Sequence, residues 1–164
     1  RGSTAGWIGY TLSWSNRQFD DLNSGEWFPF TYDRRHDVSV VLTQDINEMW
    51  SASAAWVYGT GRAVTLTESI YNGVEFGALA APSYQVPSER NAYRMSPYHR
   101  LDVSMTRVKP DTDGNRALIF SLYNAYNNLN PFFALAEEEP DGSRVIREYG
   151  LFPVIPSIAW RFHF

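Results

Sequence analysis

The sequence predicts an all-β fold of antiparallel, up-and-down strands. Three observations carry this expectation: six segments alternate apolar and polar residues with period two, the nine prolines avoid segment interiors, and the connections alternate short and long. A helical stripe at i, i+3, i+4 describes these segments less well.

Segment 6–15 sets Ile8, Tyr10, Leu12 and Trp14 against Gly9, Thr11, Ser13 and Ser15. Segment 36–46 sets Val38, Val40, Leu42 and Ile46 against Asp37, Ser39, Thr43 and Asp45, with Val41 and Gln44 out of step. Segment 49–58 alternates Trp50, Ala52, Ala54, Trp56 and Tyr58 with Ser51, Ser53, Ala55 and Val57. Segment 98–108 alternates Leu101, Val103 and Met105 with Arg100, Asp102, Ser104 and Thr106. Segment 116–126 places Leu118, Phe120, Leu122 and Tyr126 opposite Ala117, Ser121 and Tyr123, with Ile119 and Asn124 as breaks. Segment 156–164 places Ile158, Trp160, Phe162 and Phe164 opposite Ser157, Ala159, Arg161 and His163. Pro97 and Pro110 bracket one segment and Pro156 opens another, as expected of a residue with no amide for a ladder bond.

Composition narrows the class. With 164 residues the chain is sized for one domain. Its 14 Lys+Arg against 18 Asp+Glu give a net charge of −4, without the basic field of a nucleic-acid binder. There is no cysteine, which excludes disulfides, zinc–thiolate sites and thiol catalysis. No apolar run is long enough for a transmembrane helix. The opening Arg1-Gly2-Ser3-Thr4-Ala5-Gly6 has no apolar signal region, so a mature or truncated chain is expected. Aromatics make up 16% of the residues and charged groups only 20%, so many rings need a core, a partner or a lipid interface.

The connections point to a membrane. Asn47-Glu48 and the stretch from Lys109 to Asn115 are short, whereas 16–35, 59–97 and 127–155 are long. A transmembrane β-barrel has short periplasmic turns and long extracellular loops. Ten residues at about 3.3 Å each, tilted by about 45°, rise about 23 Å, close to the apolar band of such barrels. Rings cluster at segment ends: Trp14, Trp56, Tyr58 and Tyr126 at one, Trp50, Phe162 and Phe164 at the other, as in aromatic girdles. A soluble β-sandwich gives the same alternation.

The last stretch, Leu151-Phe152-Pro153-Val154-Ile155-Pro156-Ser157-Ile158-Ala159-Trp160-Arg161-Phe162-His163-Phe164, resembles the C-terminal strand of TonB-dependent outer-membrane receptors of the Bacteroidetes type. Similar to the same family are Gly6-Trp7-Ile8-Gly9-Tyr10-Thr11-Leu12-Ser13 with Phe28-Pro29-Phe30, then Tyr32-Asp33-Arg34-Arg35-His36-Asp37, then Tyr93-Arg94-Met95-Ser96-Pro97-Tyr98-His99-Arg100-Leu101-Asp102. Leu122-Tyr123-Asn124-Ala125-Tyr126-Asn127-Asn128-Leu129-Asn130-Pro131 reads like the family's penultimate strand and loop. The motifs fall in the family's order across most of the chain. The resemblance implies a non-enzymatic transport role in the bacterial outer membrane, importing a large nutrient such as a metal chelate or glycan. It implies as partners the remainder of the barrel, a plug, outer-membrane lipid, the barrel-assembly machinery and TonB, the last through an N-terminal part. Neither plug nor TonB-contacting segment is recognisable here. The family's barrels have about 22 strands, and even the smallest closed outer-membrane barrels use about eight, so six strands are expected to be the C-terminal portion of a larger barrel.

Candidate sites follow. The resemblance makes Trp160, Phe162 and Phe164 an assembly signal, read by strand addition; the same residues suit lipid and girdle positions. Asp37, Asp45, Arg100, Asp102 and Arg161 are expected to line the lumen, as ligand or plug contacts or as a paired, solvated wall. Trp27, Phe28, Phe30, Tyr32, Tyr71, Phe76, Tyr84, Phe132 and Phe133 are loop rings suited to stacking on a ligand, or to local packing. Asp111-Thr112-Asp113-Gly114-Asn115 is expected to be a tight turn rather than a calcium loop, since Leu122 stands where the twelfth-position Glu is required. Glu137-Glu138-Glu139 before Pro140-Asp141-Gly142 reads as the solvated arm of a loop hairpin. His36, His99 and His163 are too scattered for a metal site, and no cofactor is expected. Two other architectures fit the pattern. One is a stand-alone eight-stranded barrel, structural or adhesive, with 63–70 and 74–81 as an extra pair; the other is a soluble sugar-binding sandwich.

Overall fold

The computed structural model describes residues 3–72, 83–87, 89–109 and 116–162. Six strands form one antiparallel sheet: β1 (Thr4–Leu12), β2 (His36–Asp45), β3 (Trp50–Gly59), β4 (Tyr98–Val108), β5 (Arg116–Tyr123) and β6 (Ile155–Phe162). Their order in the sheet is their order in the chain, and every neighbouring pair is antiparallel. All six predicted segments are strands. Among the described residues β1 and β6 do not pair with each other, so the sheet is open rather than a closed barrel.

The boundaries shift for local reasons. Strand β1 ends at Leu12, and the Ser13 amide then donates to the Arg35 carbonyl at 3.1 Å, so Trp14 lies beyond the ladder. Strand β5 ends at Tyr123 because Asn124 turns into the left-handed region at φ 54°, which leaves Tyr126 in the following turn. Pro156 sits near the start of edge strand β6, where a missing amide disturbs the ladder least.

Register decides which side chains share a face. Gly6, Leu42, Ala54, Val103, Leu122 and Pro156 form one cross-strand row. The row below runs Thr4, Gln44, Ala52, Met105, Phe120, Ile158. The six apolar stripes therefore merge into one apolar face, with Thr4 and Gln44 as polar inclusions in these rows. On that face Ile8 is 75% exposed, Ile158 71% and Trp160 70%. Trp14 and Phe120 are exposed as well. The rings and aliphatics are thus not gathered into a core. The only buried apolar side chains among the described residues are Phe28, Ala63, Met95 and Ala117. The chain exposes 11988 Å², where a folded 18.8 kDa monomer exposes about 8300 Å².

Rings mark both ends of the apolar face. Trp56 and Tyr58 stack at 6.1 Å, and Tyr10 and Tyr126 hydrogen-bond His36 and His99 at 2.9 and 2.8 Å near the long-loop end. At the short-turn end Trp160 meets Phe162 edge-on at 6.2 Å, and Trp50 lies in register with Arg107.

The connections at the two ends differ in kind. The β2–β3 turn is minimal: Asn47 Oδ1 accepts the amides of Met49 and Trp50, each at 2.9 Å. The predicted turn at 111–115 lies outside the described residues, but the Lys109 amide donates to the Arg116 carbonyl at 2.9 Å at its base. The long connections carry small ladders of their own. Strands Asn16–Arg17 and Phe28–Pro29 pair, as do Ala63–Val64 with Tyr93–Arg94, and Thr67–Asn72 with Ser83–Pro87. None of these joins the six-stranded sheet. The expected extra pair of a stand-alone eight-stranded barrel is therefore absent from that sheet as far as 63–70 is concerned, and 74–81 lies outside the described residues. Pro131–Glu138 and Arg144–Gly150 form the hairpin that the Glu run predicts, closed by a turn in which the Gly142 amide donates to the Glu139 carbonyl at 2.9 Å.

Candidate functional site

The polar face of the sheet carries all five expected lumen residues. Asp37 and Asp45 alternate with the apolar set on β2, Arg100 and Asp102 on β4, and Arg161 on β6. Register separates them into different rows. Arg100 and Asp102 come together near the long-loop end: Arg100 Nη2 lies 2.8 Å from Asp102 Oδ2, and Arg100 Nη1 donates to the hydroxyls of Tyr98 and Tyr123 at 2.8 Å each. The guanidinium lies 4.2 Å from the Tyr123 ring centre. Asp102 Oδ1 accepts the Asn124 amide at 2.9 Å. Asp37 instead faces Arg34 at 3.6 Å, and Asp45 accepts the Ser3 hydroxyl at 2.7 Å at the opposite end.

Between those ends lies a row that sequence reading did not single out. Thr43, Ser53, Ser104, Ser121 and Ser157 are consecutive partners across five strands, and the Ser53 and Ser104 hydroxyls are 2.8 Å apart. Five small hydroxyl side chains keep the middle of this face shallow and able to donate or accept. The signal was present in the period-two pattern, but only register turns five separate residues into a row.

The long loops are tied to one another by buried polar groups. Asp33 is 1% exposed; it accepts the Ser15 amide at 2.7 Å and Arg94 Nη2 at 2.6 Å, with Arg35 at 3.9 Å. Burial alone would raise the Asp33 pKa, but the Ser15 amide, Arg94 and Arg35 together hold it below the usual carboxylate value. Arg94 also donates to the carbonyls of Asp33 and Gly61 at 2.9 and 2.8 Å. Gly61 is required there, since a Cβ would fall 1.6 Å from the Met95 carbonyl oxygen. Buried Asn91, at φ 56°, donates from Nδ2 to the Pro29 carbonyl at 2.8 Å and from its amide to Thr65 Oγ1 at 3.0 Å. Glu148, on the hairpin, accepts the Tyr93 hydroxyl at 2.9 Å and the Ser96 amide at 2.8 Å. Burial, reinforced by that carboxylate, raises the Tyr93 pKa.

Asn124 is fully buried where β5 ends. Its Nδ2 donates to the carbonyls of Asn128 and Phe152 at 2.8 and 2.9 Å, and its Oδ1 accepts the Asn128 amide at 3.0 Å. Asn127 Oδ1 accepts the Val154 amide and Asn130 Oδ1 the His99 amide. The asparagine run thus fixes the third long loop to β4 and to the approach of β6. Asn is the residue expected where a left-handed turn must also satisfy backbone groups.

The loop rings divide into two sets. Phe28 is 5% exposed beside Phe19 at 6.1 Å, so it supports the first loop from within. Phe30 meets Tyr32 edge-on and lies 4.7 Å from the Arg17 guanidinium carbon. Trp27, Tyr32, Phe132 and Phe133 are exposed, and Phe133 stacks on Tyr149 at 5.0 Å. Phe76 and Phe164 lie outside the described residues, as do the side chains of Tyr71 and Tyr84, whose backbones are partners in a loop ladder. Trp160 and Phe162 are exposed on edge strand β6. Among the described residues no three His, Asp or Glu side chains converge as metal ligands. Compared with known proteins, the chain matches no family model, no curated protein and no solved structure.

Proposed function

We propose that this chain forms the C-terminal barrel wall and extracellular loops of a TonB-dependent receptor, which imports a large nutrient across the bacterial outer membrane. The single observation that carries the reading is the apolar face: six strands in register present one continuous greasy surface, edged by rings at both ends, with Ile8, Ile158 and Trp160 largely uncovered. In water such a surface requires a second layer. In a bilayer hydrocarbon takes that place, and the alternation of polar and apolar faces is what a barrel wall needs. Strands β1 and β6 would be unsatisfied edges in lipid, where unpaired backbone groups cost several kcal/mol each. In the proposed assembly they pair with further strands of the barrel.

The polar face then turns to the lumen. Its hydroxyl row leaves room for a plug, and the Arg100–Asp102 pair is a self-satisfied part of the wall rather than a catalytic group. TonB would act through parts beyond this chain. Trp160 and Phe162, on an open edge, suit recognition by the barrel-assembly machinery. The interlocked loops offer Trp27, Tyr32, Phe132 and Phe133 to a metal chelate or glycan. Fractionation of cells producing the protein tests the reading: it is expected in the outer membrane and to need detergent for extraction. Recovery as a soluble monomer without detergent overturns it.

A further inference from the structure

At the short-turn end the apolar face does not finish in rings alone. Arg107 follows Met105 on β4 and is in register with Trp50 on one side and Leu118 on the other. Arg116 begins β5 and is in register with Phe162. Both arginines therefore belong to the apolar face, two residues beyond its aliphatic rows. Arg107, Lys109 and Arg116 line a cavity of about 500 Å³, whose apolar wall includes Leu118 and Trp160. The Arg107 guanidinium carbon lies 5.8 Å from the Trp50 ring centre, which holds the charge at the ring band. Among the described residues neither Arg107 nor Arg116 is ion-paired with a carboxylate.

Cations on the apolar side of a sheet are costly in hydrocarbon unless they meet an anion at the interface. A guanidinium recognises phosphate oxygens in a fork, and a greasy wall beside it accepts an acyl chain. We infer that this cavity is a binding site for an anionic phospholipid. Its phosphate lies between Arg107 and Arg116, and an acyl chain runs over Leu118 and Trp160 along the apolar face. The inference rests on the membrane reading above, and it identifies a lipid rather than the transported nutrient as the ligand of this cavity.

The test uses the protein in phosphatidylcholine vesicles containing brominated lipid, which quenches tryptophans it touches. Trp50 and Trp160 report this end of the sheet. Brominated phosphatidylglycerol is expected to bind more tightly than brominated phosphatidylcholine, by about fivefold for each arginine engaged. The double variant Arg107→Gln, Arg116→Gln should lose that preference while retaining quenching by brominated phosphatidylcholine. Arg107→Lys, Arg116→Lys should retain part of it. Excess inorganic phosphate should not displace the lipid; displacement would identify a phosphate site without acyl recognition and overturn the proposal. Equal quenching of the unaltered protein by both headgroups overturns it too, and leaves the membrane reading standing. Absence of quenching by either lipid overturns both.

Discussion

On β3, Trp56 and Tyr58 stack against each other on a face whose far edges, Ile8 and Ile158, are about three-quarters exposed. Beyond the end of the same strand, Asp33 and Asn91 are buried, and the side chain of each satisfies a backbone group, the Ser15 amide and the Pro29 carbonyl. A water-soluble domain places its apolar residues inside and its charges outside. Here the sheet has its greasy residues outside, and the loops have a carboxylate inside. The sheet is held by its ladders and asks its surroundings to cover the apolar face. Among the described residues the loops carry three of the four buried apolar side chains, Phe28, Ala63 and Met95, together with the Asp33–Arg94 pair, and so keep their shape by their own packing. The two regions should therefore respond differently to the same perturbation.

The largest expected effect separates them from the loop side. Asp33→Ala removes the acceptor of Ser15 and Arg94 from a site where the carboxylate is wholly buried. Breaking one side of such a pair costs about 3–5 kcal/mol, and the partial exposure of Arg94 places this case toward the lower end. Hydrogen exchange should show faster exchange at the Ser15, Phe30 and Met95 amides, and unchanged protection at Val40 and Leu101 in the sheet. Equal loss in both regions would mean that loops and sheet form one cooperative unit.

A somewhat smaller effect comes from the sheet side and depends on the solvent. Ala54 lies mid-strand on the apolar face, between Leu42 and Val103. Ala54→Arg should cost about 2–4 kcal/mol when the protein is refolded into vesicles and unfolded with denaturant. The same variant should fold normally in a detergent whose headgroups the arginine can reach. A cost of similar size in both media would place Ala54 against protein and remove the distinction between the two regions.

The sheet was legible in the sequence because its physics is local and repetitive. In each of six segments alternate residues lie on opposite faces of the sheet, one apolar and one polar, and that shows with period two whatever the partner strand is. The resulting segment 98–108 coincides with β4, and the others differ by a few residues at their ends. The loops were less legible because their order comes from single long-range bonds. Asp33 bonds Arg94 across 61 residues and Asn91 reaches Pro29 across 62, and neither contact leaves a periodic trace. The hairpin at 131–150 is an intermediate case. Its turn signals, Glu139-Pro140-Asp141-Gly142, were readable, whereas consecutive Phe132-Phe133 hid the alternation of its first arm. Phe28 shows the limit most plainly: by composition it is one more loop ring, and only the fold turns it inward while Trp27 beside it stays exposed.

The smallest expected effect is a pH dependence confined to the loops. The Asp33 pKa lies below its ordinary value of 3.8 in the folded loops, because the Ser15 amide, Arg94 and Arg35 outweigh the opposing effect of burial. The unfolded loop therefore binds the proton more readily than the folded one. The ionised carboxylate's contribution is fully present above about pH 5 and is lost as pH falls through the ordinary value and then the lower folded value. Exchange protection factors at Ser15 and Phe30, corrected for intrinsic rates, should fall below about pH 4. Asp33→Asn, which cannot titrate, should start from lower protection and show less of this decline. Amides of β2 and β3 that face one another across Val40 and Trp56 should stay protected over the same range, because their ladder carries no titrating acceptor. If sheet amides lost protection in parallel with Ser15 and Phe30, the buried carboxylate would be holding the strands as well as the loops.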